Sequence, residues 1–229
     1  MTEIIITDVT RMSGTNVCVA GSIGGSAIRL DDPVPNEGTL QRVGGLSPGD
    51  VIDIAWKPTK GASPPHVEDG SWRPDSIRKL RSLDYGEFVR KLAENAYDQI
   101  TDAFGDVYRK GAGGNFAFRP GIGKRSLASV RAKGVEVYLD FNKIGVRFVD
   151  RSGPWAKVAL EDLTVRKHAV ECAPCRRNLT RQLSRDFDAE SAILRVGLSR
   201  PYQVPDHPLA CWVQVNGIYP LDRKRQHFA

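Results

Sequence analysis

The feature that most constrains this chain is the rhythm of its apolar residues. Short runs, most alternating with period two, are cut every few positions by Gly, Pro, Asp or Ser. Alternation places every second side chain on one face of an extended strand, and such punctuation leaves little room for long helices. The 22 glycines and 14 prolines suit many turns between short elements and do not suit a helical bundle.

The first 70 residues read as one β unit. Glu3-Ile-Ile-Ile-Thr-Asp-Val, Asn16-Val-Cys-Val-Ala-Gly, Ser26-Ala-Ile-Arg-Leu and Val51-Ile-Asp-Ile-Ala-Trp are strand-like. Turns stand between them at Ser13-Gly14, Asp31-Asp32-Pro33 and Ser47-Pro48-Gly49. Four or five such strands make a small closed barrel, and closure removes exposed edges. Residues 57–75 are Pro-rich and polar and read as a connection. Over 76–104, Leu80, Leu83, Phe88, Leu92, Ala96, Ile100 and Phe104 recur at helical spacing. Asp84 is placed to cap a helix starting near Tyr85, with Glu87 at its third position and Gly105 beyond its end. Residues 115–165 repeat the strand rhythm, with Asp150-Arg-Ser-Gly153 as a hairpin turn. Beyond them, Asn178–Arg185 reads as a short helix. Ala192–Ser199 and Cys211–Tyr219 read as a strand pair around a Pro-rich loop.

Three stretches carry a resemblance. Asp8-Val-Thr-Arg-Met-Ser-Gly-Thr-Asn-Val-Cys-Val-Ala-Gly21 resembles the start of bacterial proteins described as containing a dual OB-fold domain, and so does Gly45-Leu-Ser-Pro-Gly-Asp-Val51. Leu198-Ser-Arg-Pro-Tyr with Cys211-Trp-Val-Gln-Val-Asn-Gly-Ile-Tyr219 is similar to that family's C-terminal signature. The resemblance implies a mainly β protein of two OB-like β-barrels and a nucleic-acid-binding role, with an association with bacterial defence or conflict loci. Joined to the pattern above, it gives four expected units. These are a first barrel over 1–70, a linker and helix over 71–110, a second barrel over 111–170, and a small C-terminal strand-pair extension over 171–229.

Charge divides along the same lines. The chain carries a net +6. Residues 1–70 hold 5 Lys/Arg against 9 Asp/Glu, whereas residues 105–185 hold 17 against 7. A +10 segment beside a −4 segment points to a polyanion as partner. Within it, Arg119, Lys124, Arg125, Arg131, Lys133, Lys143 and Arg147 are interleaved with Phe116, Phe118, Tyr138, Phe141 and Phe148. OB barrels bind single strands by pairing a cationic groove with aromatic stacking platforms. Alternation also allows those aromatics to point into the core. The expected function is thus backbone-dominated binding of nucleic acid, single-stranded DNA or RNA.

A second candidate face lies near the C-terminus. Trp212, Gln214 and Asn216 share one side of an alternating strand, with Arg200 and Tyr202 close by in sequence. Such residues hydrogen-bond and stack on bases. The alternative readings are a nucleotide sensor built on this cluster, or an adaptor docking a protein partner. Cys172-Ala-Pro-Cys175 has the spacing of half a zinc site, with His168, His207 or Cys211 as further ligands, but a second knuckle is missing. A redox pair, without a thioredoxin-like setting, and an incidental spacing are the other readings. No cofactor is otherwise expected. Gly123-Lys124-Arg125-Ser126 lacks the glycine spacing of a phosphate-binding loop, and the four histidines assemble no triad. The reading therefore leans away from an enzyme. Met1-Thr-Glu-Ile-Ile-Ile carries no basic n-region and too short an apolar run for export or a membrane span, so a cytoplasmic protein is expected.

Overall fold

A computed structural model describes residues 2–105, 108–109, 116–140, 143–171, 176–205 and 207–222. The first barrel is built from β1 (Thr2–Arg11), β2 (Val17–Ile23), β3 (Ser26–Asp32), α1 (Glu37–Arg42), β4 (Asp50–Ile54), β5 (Trp56–Pro58) and β6 (Asp69–Trp72). β1 pairs antiparallel with both β2 and β4, β2 with β3, and β5 with β6, while β3 and β6 run parallel. Only Ala55 separates β4 from β5, so the two act as one bent stave and the ring closes. Ile4, Ile6, Val19, Leu30, Ile52 and Ile54 fill it. Closure runs through β6, inside the 57–75 stretch expected as a connection.

The expected helix over 76–104 is interrupted. β7 (Arg78–Ser82) pairs with the free edge of β4, which overrides the helical spacing of Leu80. α2 (Tyr85–Glu94) then starts where the cap predicts, and the Asp84 carboxylate accepts from the Glu87 N–H at 2.9 Å. The chain extends again at β8 (Ala96–Tyr97) and turns once more at α3 (Ile100–Phe104), which ends at Gly105 with φ 98°. Phe88, Val89 and Leu92 of α2 pack on Ile193 and Tyr219 of the second barrel, with Ile5 of the first alongside. α2 therefore joins the two units by packing.

After β9 (Tyr108–Arg109) and β10 (Phe116–Phe118) comes the second barrel. It comprises β11 (Leu127–Asp140), β12 (Lys143–Asp150), β13 (Gly153–Leu160), α4 (Leu163–Glu171), α5 (Arg176–Phe187), β14 (Ala189–Leu198) and β15 (Cys211–Pro220). Its ring runs β11–β12–β13–β15–β14 and back to β11, with β13 and β15 parallel and every other pair antiparallel. Both units therefore share one wiring: three meandering strands, a helical crossover, then a fourth and a fifth strand, with the third and fifth parallel. This is the five-stranded OB-like barrel. The expected C-terminal extension is a part of it. β14 and β15 are hydrogen-bonded on both sides and supply two of the five staves. Among the described residues no helix is long and apolar enough to cross a membrane.

Candidate nucleic-acid interface and the cleft between the barrels

β1 is buried on both faces. Ile4 and Ile6 enter the first core, and the polar Thr7, Asp8 and Thr10 are also buried. The reason is the second barrel. Arg195 of β14 donates to Asp8 through Nε and Nη2, at 2.7 Å for the latter, and to the hydroxyls of Thr7 and Ser129. A second polar seam lies alongside. Arg29 of β3 donates to Asp69 and to the Ser126 hydroxyl, both at 2.8 Å. The Glu68 carboxylate accepts from the Ser126 and Leu127 N–H groups. Buried charges are tolerated only when paired in this way.

The cations expected to bind nucleic acid fall into two groups. Arg119, Lys124, Lys133 and Lys143 are exposed and make no direct ion pair with any described residue, though the Lys143 charge acts on Glu161. The other three are engaged. The Arg125 guanidinium lies 5.1 Å from the Tyr97 ring centre. Arg147 sits 5.0 Å from the Tyr138 ring centre and 3.5 Å from Glu136. Arg131 donates to the carbonyls of Ala93 and Ala96 and to Asp98, which ties β11 to the end of α2. Of the interleaved aromatics, Phe116, Phe118 and Phe148 are buried core residues. Tyr138 is only half-buried, and its ring lies over Gly145 of β12. Phe141 lies outside the described residues.

The second candidate face is assembled differently from its sequence outline. Arg200, Tyr202, Gln214 and Asn216 line a cleft of about 640 Å³ between the barrels. Trp212 does not line it. Its indole packs on Ala117 and Ala210 and donates to the Tyr202 carbonyl at 3.3 Å, so it supports the loop that carries Tyr202. The first barrel supplies the opposite wall, with Arg11, Cys18, Arg29, Asp31 and His66. No sequence signal links those residues to Gln214; only the packing of two barrels brings them together. Arg200 bridges the walls, pairing with Asp31 and, at 2.6 Å, with Asp69. The His66 Nε2 donates to the Ser199 carbonyl at 3.1 Å. Burial, with Arg29 and Arg200 nearby, holds the His66 pKa down to about 4, so its ring is neutral at physiological pH. Burial likewise pushes the Cys18 thiol up, outweighing the nearby Arg29 charge.

Cys172 and Cys175, half of the expected zinc option, lie outside the described residues, as does the side chain of His168. Cys211 is buried in the second barrel's core. Among the described residues no three His, Cys, Asp or Glu side chains stand together to hold a metal ion.

No family model matches the chain, and no curated protein matches it. Solved structures similar to it include the tetrameric p202 HIN2, at 10% identity and TM-score 0.32, covering 93% of this chain and 90% of that one. Another is a murine DNA binding protein bound with double-stranded DNA, at 8% identity and TM-score 0.36, covering 99% of this chain and 100% of that one.

Proposed function

We propose that this protein binds nucleic acid, with single-stranded DNA or RNA preferred, through phosphate contacts on the second barrel. One observation carries the reading. Arg119, Lys124 and Lys133 stand exposed with no carboxylate partner among the described residues, and exposed Lys143 forms no direct ion pair although its charge acts on Glu161. The cations of β7 behave otherwise, since Arg78, Lys79 and Arg81 pair with Asp53, Asp50 and Glu3. Lys124, Lys133 and Lys143 stand on the approach to β11, on β11 and at the start of β12, so these exposed cations follow the strand rather than meet at a point. A chain of phosphates suits that distribution better than a single small anion does. Tyr138, half-buried beside Arg147, adds a ring at the far end of β11. Arg131 is held by the fold and is left out.

The test is fluorescence anisotropy with single-stranded DNA, single-stranded RNA and double-stranded DNA at 50 and 200 mM salt. Binding should weaken steeply with salt, by a log–log slope of ~0.7 for each single-strand phosphate contact. Lys124→Ala with Lys133→Ala should reduce that slope by about one to two. Absence of binding at low salt, or binding that ignores salt, overturns the proposal. In that case an adaptor role through protein contacts becomes the better reading.

A further inference from the structure

We infer that the cleft between the barrels is a nucleotide site, one that takes a nucleobase with its phosphate. It is independent of the cationic track proposed above. The cleft has the make-up of a built site, with an open rim and a polar floor. Tyr202 at the rim is 50% exposed, whereas Arg29, His66 and Asn216 on the floor are only 3–6% exposed. The cleft leaves about 640 Å³ of space above that floor.

The chemistry of the floor selects the ligand. Gln214 and Asn216 sit two apart on β15 and so share a face. The Gln214 Nε2 donates to the Asn216 Oδ1 at 3.1 Å. That bond leaves the Gln214 Oε1 as an acceptor and the Asn216 Nδ2 as a donor, neither with a partner among the described residues. An acceptor beside a donor is the complement of a base edge that offers a donor beside an acceptor. Gly197, opposite Gln214 on β14, makes room for this pair, because a Cβ there would lie 2.7 Å from the Asn216 Nδ2. The Arg29 Nε is buried and also has no partner. The exposed Tyr202 ring supplies a stacking surface, and Leu30 and Leu198 give the walls apolar area. For the phosphate, Arg29 and Arg200 are already matched by Asp69 and Asp31, but Arg11 makes no ion pair with any described residue. One free cation suits one phosphate.

The same chemistry arises from a free mononucleotide or from one unit of a strand, and the experiment separates them. Calorimetry and thermal shift are run with the four ribonucleoside and four deoxyribonucleoside 5′-monophosphates, with inorganic phosphate and ribose 5-phosphate as controls. At least one nucleotide should bind one to one and raise the melting temperature, while the two controls should not. Gln214→Leu, and Gly197→Ala, which displaces the Asn216 amide, should each weaken that binding at least tenfold. Arg11→Ala and Tyr202→Ala, both away from the buried floor, provide variants that leave the fold intact and should weaken it too. Lys124→Ala with Lys133→Ala should leave mononucleotide binding unchanged, which keeps the outcome separate from that of the cationic track. Displacement of a bound oligonucleotide by the mononucleotide assigns the site to a base of the strand, and no displacement assigns it to a free nucleotide. If no mononucleotide binds, or if binding survives all four cleft variants unaltered, the inference is overturned.

Discussion

Arg195 and Asp8 are 187 positions apart in sequence, yet each is the other's only close charge partner among the described residues. Their side chains are 6% and 0% exposed. Removing one partner strands the other as a buried, uncompensated charge, at a cost of about 3–5 kcal/mol. Arg195→Met should therefore shift the urea midpoint far down, whereas truncating an exposed cation such as Lys133 should hardly move it. His66 gives the pH counterpart. Its ring is neutral in the folded protein because its pKa is held down to about 4, whereas the unfolded chain's histidine takes up a proton below about 6.5. Stability should then fall as pH drops from 6.5 towards 4 and change no further from this source below that. Between pH 7 and 4.5 the wild type should lose about 2–3 kcal/mol more than His66→Gln, measured by urea unfolding at both values. An equal loss in the two proteins would remove His66 from the account. At this scale the sequence was legible only in part. Free cations such as Lys124 could be picked out because loops expose them. Arg131 could not be told apart from them, since its partners are carbonyls at the end of a helix. The roles of Arg29 and His66 depend on a neighbour that no local pattern announces.

Elements were easier to read where a local rule agreed with the fold. The cap at Asp84 is such a case, and Asp84→Ala should cost about 1 kcal/mol in thermal or urea unfolding, with Asp84→Ser recovering most of it. β1 to β4 follow from alternation between turns. β6 does not, because Asp69-Gly-Ser-Trp72 has little strand propensity and owes its place to ring closure. Its glycine shows how the closure is made. The Trp56 indole lies across Gly70, where an added Cβ would fall 2.1 Å from the ring nitrogen. Gly70→Ala should force the indole off the sheet and destabilise the first barrel by about 1–3 kcal/mol, seen as a lower urea midpoint with altered Trp fluorescence. An unchanged midpoint would mean that the indole moves aside freely. β14 and β15 teach the complementary lesson. Their strand character was plain, but their partners were not. A long helical crossover, α4 and α5, separates them from β13, so sequence distance made them look like an appendage.

For the whole molecule, the seams decide whether two barrels behave as two domains or as one. Tandem barrels joined only by a linker open independently. Here the joint holds Asp8 with Arg195, Arg29 with Asp69 and Ser126, and Arg200 with Asp31 and Asp69. In addition, Leu163 of α4 is inserted into the first barrel's core, and Lys167 pairs with Glu37 at 2.6 Å. Opening either barrel strands charged groups on the other, so partial unfolding gains little entropy for a large desolvation penalty. The two should therefore open as one cooperative unit. Native-state hydrogen exchange in sub-denaturing urea should give peptides from β2–β3 and from β12–β13 the same limiting free energy of opening. Arg195→Met should split that value, because it breaks one seam and leaves both cores intact. Two values already present in the wild type would mean that the barrels are separate foldons and that the seam is only a contact. The result also bears on the cleft, whose walls come one from each barrel. A cleft that exists only while both barrels are folded and docked has a fixed shape, and a fixed shape is what a base-edge pair of amides needs in order to discriminate between ligands.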